Sequence, residues 1–354
     1  MLNFTVGPVM SDPEVLKIGA ESSPYFRTPE FSKLMLENEQ MMLRLLHAPQ
    51  ESRCVFLTTS GTGAMESMVM NILSDTDRVI VINGGSFGQR FADLCALHHR
   101  NYTQVPCTFG HQLKREQLKD LEDHTALLVN MHETSSGLLY DMEMISEFCK
   151  ENGILLLVDA ISAFLADELD IERLGAAAVI TGSQKALAVQ PGVSVVALAP
   201  AAVQRVEENP ETCLYLSLKQ ALKNAERGQT PFTPAVTTLL QIHERLSSIT
   251  KKGLDAEQKR IAQLAHTFRE SIADLPFIAV PDDPSNAVTA LRPFGGGAKE
   301  IVRILKDEYG IWVCPNGGEW ADEVFRVGHI GYITDADIKC LTDALHDMKK
   351  RGLL

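Results

Sequence analysis

Long apolar stretches are missing from this sequence. No run of about 18 apolar residues occurs, and a membrane-spanning helix needs roughly that length, so we expect no membrane partner. Residues 1–8 contain neither the basic segment nor the apolar segment of a secretory signal. We therefore expect a cytoplasmic protein.

An excess of basic side chains is also missing. The chain has 33 Lys and Arg residues against 46 Asp and Glu residues, which gives a formal net charge of −13. Such a chain repels polyanions as a whole, and this argues against nucleic acid and anionic membranes as partners. A local pocket for one small anion remains compatible with the charge.

Cysteine pairs with metal-binding spacing are lacking as well. Seven cysteines are scattered along the chain and no CxxC occurs, so the sequence predicts free thiols in a reducing compartment. The adjacent His98 and His99 lie on a predicted helix surface. We expect no metal ion there or elsewhere in the chain.

A series of short apolar runs is present, separated by helical patterns. Runs of this kind are typical of strands buried on both faces of a parallel sheet. Their alternation with helices predicts an α/β fold. The apolar runs cover residues 54–57, 79–82, 126–129, 154–158, 178–180 and 193–198, and the helical patterns cover residues 62–73, 86–100, 113–121 and 141–152.

The pattern changes after about residue 200. Long helices are predicted at residues 234–248 and 255–274, and the short strands and helices that follow them indicate a smaller α+β domain. The beginning of the chain is rich in proline and shows no clear periodicity. We predict an N-terminal arm at residues 1–20, a large domain at residues 21–250 and a small C-terminal domain at residues 251–354.

A turn of small residues, TTSGTGAMES, joins a strand to a helix at residues 58–67. Backbone N–H groups at a helix start, together with hydroxyl groups, suit a phosphate monoester. Gly61, Thr62 and Gly63 are the candidate residues of such a site. An ordinary capped helix after a glycine turn is the alternative for this stretch alone.

Asp159 and Lys185 each follow an apolar strand. A buried acid needs a charged partner such as a cationic ring nitrogen or a metal, although an acid here can also simply end a strand. A desolvated lysine has a lowered pKa and can form a Schiff base, although a lone lysine is usually a solvated surface residue. A phosphate site, a buried acid and a lysine, in this order, are what pyridoxal 5′-phosphate requires.

Taken together, these motifs resemble the class V aminotransferases of fold type I. That group contains the alanine–glyoxylate, serine–pyruvate and 2-aminoethylphosphonate–pyruvate transaminases. The resemblance implies a large domain with a seven-stranded, mostly parallel sheet flanked by helices and a smaller α+β C-terminal domain. It is carried by seven segments in family order, which are FTVGP (4–8), SGTG (60–63), NGGSFGQR (83–90), HETSSG (132–137), SQK (183–185), TPFTP (230–234) and FRVG (325–328).

The resemblance implies a role for each matching residue. Lys185 would be the Schiff-base lysine and proton carrier, and Asp159 would keep the pyridine nitrogen protonated. Phe87 would stack on the pyridine ring, and Thr134 would bond near the 3-oxygen of the ring. Gly61, Thr62, Gly63 and Gln184 would bind the phosphate, Thr233 would bind it across a dimer interface, and Arg326 and Gly7 would serve the substrate.

The implied function is transfer of an amino group from a small donor of the alanine or serine type to glyoxylate or pyruvate, by a ping-pong cycle. A 2-aminoethylphosphonate–pyruvate or aspartate transaminase is the alternative within the family. A lyase or cysteine desulfurase on the same fold is the less favoured alternative. A desulfurase would need a loop cysteine as nucleophile, but the position of Cys314 and the presence of Gln184 differ from the desulfurase pattern. The resemblance also implies a homodimer with shared active sites.

Overall fold

Two large sheets with helices packed around them, together with a two-stranded sheet of residues 132–139, make up the chain, and the computed structural model describes residues 1–354. The strands are β1 (Leu2–Phe4), β2 (Arg53–Leu57), β3 (Arg78–Asn83), β4 (Asn101–Pro106), β5 (Ala126–Asn130), β6 (His132–Glu133), β7 (Leu138–Leu139), β8 (Leu155–Asp159), β9 (Ala176–Gly182), β10 (Ser194–Leu198), β11 (Phe277–Ala279), β12 (Val288–Pro293), β13 (Ile311–Pro315) and β14 (Phe325–Gly328). The helices are α1 (Pro13–Gly19), α2 (Pro29–Leu45), α3 (Gly61–Ile72), α4 (Ser86–Leu97), α5 (Met142–Asn152), α6 (Ile171–Leu174), α7 (Pro200–Glu208), α8 (Leu218–Ala225), α9 (Val236–Lys252), α10 (Leu254–Ser271), α11 (Ala298–Tyr309) and α12 (Asp335–Lys350).

The larger sheet has seven strands in the order β2-β10-β9-β8-β5-β3-β4. Only β10 runs antiparallel to its neighbours, and the remaining pairs are parallel. Every residue of β5 and of β9 is buried, because helices cover both faces of a parallel sheet and leave no polar side. The predicted α/β fold is therefore confirmed, with a strand at each of the six apolar runs.

The edge strand β4 was not predicted. It pairs with β3 alone, and only Val105 among its six residues is buried, so the sequence has no apolar run there. The predicted helix at residues 113–121 is wrong in extent, since the chain forms only one 3-10 turn there, Arg115–Leu118.

The smaller sheet has five strands in the order β1-β13-β14-β12-β11. Helices α10, α11 and α12 cover it, and their apolar side chains form one core with those of the strands. The chain thus forms a mainly parallel α/β body and a smaller α+β body, as the sequence indicates. The boundary at residue 250 stays a prediction.

The N-terminal residues contribute regular structure. Residues 1–20, which the sequence predicts as an arm, hold β1 and α1, and β1 pairs in parallel with β13 of the smaller sheet. Helix α2 begins after Thr28, whose side chain accepts a hydrogen bond from the backbone N–H of Phe31, with Pro29 in the first turn. This start signal is present in the sequence, although no helix was predicted there.

The parallel arrangement brings several loops to one edge of the larger sheet. The carboxyl ends of parallel strands point the same way, so the segments that follow them lie close together. These segments follow β2, β3, β5, β8 and β9. Ser60, Phe87, His132 and Lys185 lie in them, and Asp159 is the last residue of β8.

None of the helices combines the length and apolar composition needed to cross a membrane.

The strand β1 generates a test of the fold. Phe4 is fully buried in the core of the smaller sheet, so replacing it leaves a cavity. We expect Phe4→Ala to lower the free energy of unfolding by about 3–5 kcal/mol, as measured by urea unfolding. The control Leu16→Ala removes a half-exposed side chain on α1 and should change it by less than about 0.5 kcal/mol. Equal effects of the two variants would contradict the placement of β1.

Candidate active site

A cavity opens at this edge of the larger sheet, and most of the predicted site residues line it. Gly63 lies in the first turn of α3, and Gly7 lies against Lys185. Arg326 lines the cleft next to the cavity, whereas Thr233 lies in a separate surface depression. The cavity is lined by Ser60, Gly61, Thr62, Met65, Phe87, Arg90, His132, Thr134, Asp159, Ile161, Ser162, Gln184 and Lys185.

The start of α3 forms one end of the cavity. Ser60 precedes the helix and makes no side-chain capping bond, so it leaves the N–H groups of the first turn to other acceptors. A Cβ atom added to Gly61 would clash with Ile161 Cδ1, and one added to Gly63 would clash with Thr59 Oγ1. A Cβ atom at either position would therefore have to displace a neighbouring side chain, and the free N–H groups suit an anion.

Asp159 ends β8 and is buried. Its Oδ1 accepts a hydrogen bond of 2.8 Å from the backbone N–H of Ile161, and no basic side chain lies within ion-pair distance. Burial raises the pKa of Asp159 to about 6, and the Glu133 carboxylate adds to this rise. A cationic group in the cavity would lower that pKa again, so the site favours a protonated ring nitrogen beside this carboxylate.

Lys185 lies in the turn after β9 and projects into the same cavity. Its Nζ donates a hydrogen bond of 2.5 Å to the carbonyl oxygen of Val6. Burial lowers the pKa of Lys185 to about 8, and the positive charges of Arg326 and Arg90 contribute to the decrease. A larger fraction of this amine is therefore neutral near neutral pH than for a solvated lysine.

Gly7 makes room for this lysine. A Cβ atom at Gly7 would lie 2.9 Å from Cδ and 3.1 Å from Nζ of Lys185, and Gly7 has a φ of +124°. Both the backbone conformation and the space around it require a glycine. Gly7 thus belongs to the surroundings of the amine, which the sequence motif alone did not reveal.

Glu133 is a buried residue of the site to which the sequence reasoning gave no role. It is fully buried, and its Oε2 accepts hydrogen bonds from the backbone N–H groups of Phe87 and Gly88 at 3.3 and 3.1 Å. Asn130 Nδ2 donates to the same oxygen at 3.0 Å. Glu133 therefore satisfies the start of α4 and fixes the segment that carries Phe87. The acid in the HETSSG motif was the signal that could have indicated this.

Arg90 is a second cavity residue without a predicted role. Its guanidinium carbon lies 4.9 Å from the centre of the Phe87 ring, and its Nη1 donates to Thr62 Oγ1 at 3.2 Å. Arg90 therefore connects the aromatic side chain with the first turn of α3.

Arg326 comes from β14 of the smaller sheet and is buried. Its Nη1 donates to the carbonyl oxygen of Thr134 at 3.1 Å, and its Nη2 donates to that of Pro315 at 2.7 Å. Nε has no partner, and no carboxylate lies within ion-pair distance. A buried cation of this kind is costly unless an anion reaches it, so Arg326 suits an anionic ligand.

An open cleft of about 650 Å³ leads from Arg326 to the surface. Phe109 and Trp320 stack across it, with ring centres 4.2 Å apart. Arg326 is the only basic residue of the cleft and Glu319 is the only acidic one. The other residues that line it are Asn83, Gly84, Gly85, Ser86, Phe87, Gln89, Cys107, Phe109, Ser135, Asn316, Gly317, Gly318 and Trp320.

Comparison with known proteins identifies the family. The family model for aminotransferase class V matches residues 19–339. A protein described as the soluble hydrogenase 42 kDa subunit of Anabaena cylindrica is 31% identical over 321 residues, which cover 88% of this chain and 83% of that protein.

An L-aspartate–glyoxylate aminotransferase from Paracoccus denitrificans is 26% identical over 345 residues, which cover 94% of this chain and 87% of that enzyme. Among solved structures, an aspartate aminotransferase of subgroup IV from Thermus thermophilus superposes with a TM-score of 0.92 at 25% identity, over 98% of this chain and 99% of that one. This chain belongs to the class V aminotransferase family and is an enzyme of the transaminase type.

Proposed function

We propose that this enzyme uses pyridoxal 5′-phosphate to move an amino group from a small donor, such as alanine or serine, to glyoxylate or pyruvate. The observation that supports this most strongly is the convergence of a free helix start, a buried acid and a lysine with a lowered pKa in one cavity. The name of the Paracoccus relative gives glyoxylate as the acceptor, which agrees with the proposed acceptor, and aspartate as the donor, which is why aspartate belongs among the donors compared below.

The residues present fit the cofactor. The first turn of α3 offers N–H groups without a side-chain cap, in a position where a Cβ atom on Gly61 would intrude, and Gln184 lies nearby. Asp159 faces the cavity without a basic side chain at ion-pair distance. Both ring nitrogens of His132 are buried in the cavity wall without a partner. These unsatisfied groups match a phosphate, a protonated ring nitrogen and a polar ring substituent.

Each residue of the cavity then has a distinct role in the proposed reaction. Bound pyridoxal phosphate supplies an aldehyde carbon for the amine and a ring that withdraws electrons. Asp159 would hold the proton on the ring nitrogen, and Phe87 would pack against the ring. Lys185 would hold the cofactor through its amine and would carry the proton of the donor Cα. Thr134 lines the same cavity and would bond near the 3-oxygen, while its backbone oxygen accepts a hydrogen bond from Arg326.

Arg326 binds the substrate carboxylate in both half-reactions in this proposal. Its planar guanidinium matches a carboxylate, and Nε is free to take part. Because Arg326 is the only basic residue lining the cleft and Glu319 lies there too, the cleft favours donors with one carboxylate. Aspartate carries a second carboxylate, and 2-aminoethylphosphonate carries a phosphonate in place of the carboxylate. A cleft with a single basic side chain therefore matches alanine or serine better than either of these donors.

A homodimer completes the proposal. Thr233 lies outside the cavity of its own chain, in a surface depression that also contains Tyr215 and Phe232. These two exposed aromatic rings stack with centres 5.6 Å apart, and exposed apolar side chains of this kind mark interaction surfaces. A second copy packed there would bring Thr233 close to the cofactor phosphate in the cavity of that second copy.

All seven cysteines are free, which supports the proposed cytoplasmic location.

The proposed activity has a direct test. We expect the purified enzyme to show the visible absorption band of covalently held pyridoxal phosphate. Addition of the correct donor without an acceptor should abolish the band, and glyoxylate or pyruvate should restore it. Alanine, serine, aspartate and 2-aminoethylphosphonate should be compared as donors.

Lys185→Ala is the matched variant for this experiment. Without the amine it should lack the band and lose turnover, although the remaining contacts can still hold the cofactor. Product formation without an acceptor would indicate a lyase instead. Full activity of the variant would show that Lys185 neither holds the cofactor nor moves the proton.

The lowered pKa of Lys185 predicts a pH dependence. Only the neutral amine adds to an aldehyde, and burial lowers the pKa of Lys185 from 10.5 to about 8. The rate at which the cofactor-free protein captures pyridoxal phosphate should therefore rise with pH and reach half its maximum near pH 8. A lysine derivative in solution should continue to accelerate toward pH 10. Stopped-flow absorbance measures both, and a protein profile that follows the free lysine would contradict the prediction.

Replacement of Arg326 tests the carboxylate site. Arg326→Gln removes a charged hydrogen-bond donor, which is worth about 1.5–3 kcal/mol, so kcat/KM for amino acid donors should fall roughly 10- to 150-fold. A simple primary amine without a carboxylate should react as slowly with the variant as with the wild type. Arg292→Gln is the control, because Arg292 forms only a surface ion pair with Glu323. A similar loss in both variants would argue against the assignment.

A further inference from the structure

His132 carries two buried nitrogens without a hydrogen-bond partner. The residue is 2% exposed, it lines the cavity that contains Asp159 and Lys185, and neither Nδ1 nor Nε2 is bonded. Buried polar atoms in folded proteins are nearly always satisfied. An orphaned imidazole in a cavity wall therefore indicates a contact that a ligand supplies.

The imidazole is neutral in this position. Burial lowers the pKa of His132 to about 3; the positive charges of Lys185 and Arg326 contribute to the decrease, and the nearby backbone of Ser162 opposes it. A neutral imidazole has one N–H donor and one acceptor nitrogen. Its natural partner is a polar oxygen rather than a phosphate dianion, and the phosphate already has the first turn of α3.

The other anchors of the cavity define which edge of the ring faces His132. On a pyridoxal phosphate ring, the nitrogen belongs at Asp159, the aldehyde carbon at Lys185 and the phosphate arm at Gly61. The 3-oxygen and the methyl group then occupy the remaining edge, opposite the phosphate arm. The residues left to line that edge are Thr134, Ser162 and His132.

Among these three residues, His132 is the one whose side chain is unsatisfied. Thr134 Oγ1 and Ser162 Oγ are hydrogen-bonded to each other at 2.7 Å, and Ser162 Oγ also donates to the backbone oxygen of His132 at 3.4 Å. The two hydroxyl groups have partners without a ligand, whereas the imidazole does not.

We propose that His132 donates a hydrogen bond to the 3-oxygen of bound pyridoxal phosphate. The inference rests on the proposed cofactor and assigns a further residue to it. A donor at this oxygen stabilises its anionic form and makes it a weaker base. The proton shared between the 3-oxygen and the Lys185 nitrogen is then lost at a lower pH.

A comparison of two cofactors tests the contact independently of damage to the fold. The cofactor-free wild type and His132→Phe are each titrated by equilibrium dialysis with pyridoxal phosphate and with its 3-deoxy analogue. We expect His132→Phe to bind pyridoxal phosphate about 10-fold more weakly or worse, and to bind the 3-deoxy analogue nearly as well as the wild type. His132→Asn, which keeps a donor, should recover part of the loss.

The same variants give a spectroscopic readout. The pH midpoint of the visible band should rise in His132→Phe and return toward the wild-type value in His132→Asn. Equal losses for the two cofactors, or an unchanged midpoint, would overturn the proposed hydrogen bond while leaving the cofactor itself in place. Failure of the wild type to bind either cofactor would overturn both this inference and the proposed function.

Discussion

The site depends on ionisable side chains that are held away from water without partners of opposite charge. Asp159 has one backbone N–H as partner, Lys185 has one carbonyl oxygen, and Arg326 has two carbonyl oxygens and no carboxylate. Charges in such surroundings are costly. The parallel sheet makes the arrangement possible because its buried strands end at one edge and present these groups to a common cavity.

Sequence reasoning succeeded where the physical signal is local. Buried parallel strands appear in the sequence as apolar runs, and this identified Asp159 at the end of β8 and Lys185 in the turn after β9. It failed where structure depends on partners distant in sequence. Strand β4 is polar because it lies at an edge, and β1 is a strand because β13 lies beside it. The roles of Glu133 and His132 likewise depend on where the start of α4 and the cavity lie relative to these side chains, and the spacing of residues does not encode those contacts.

The aromatic residue of the cavity is positioned from two sides. Glu133 binds the backbone of Phe87 from within the large domain, and Arg90 lies against its ring. A phenylalanine has no polar atom with which to fix itself, so its orientation must come from the helix that carries it and from neighbours. The buried carboxylate and the guanidinium supply that orientation, which explains why a nonpolar residue can occupy this place.

The N-terminal segment connects the two parts of the site. Strand β1 pairs with β13 of the smaller sheet, and β13 ends at Pro315, which holds Arg326. Two residues after β1, the carbonyl oxygen of Val6 holds the amine of Lys185, and Gly7 leaves room for it. Arg326, which suits a carboxylate, and Lys185, which suits an aldehyde, are therefore both hydrogen-bonded to residues in or next to one pair of strands, β1 and β13. Because Arg326 lies on β14 of the smaller sheet and Lys185 follows β9 of the larger sheet, this pair of strands links the two groups across the two sheets.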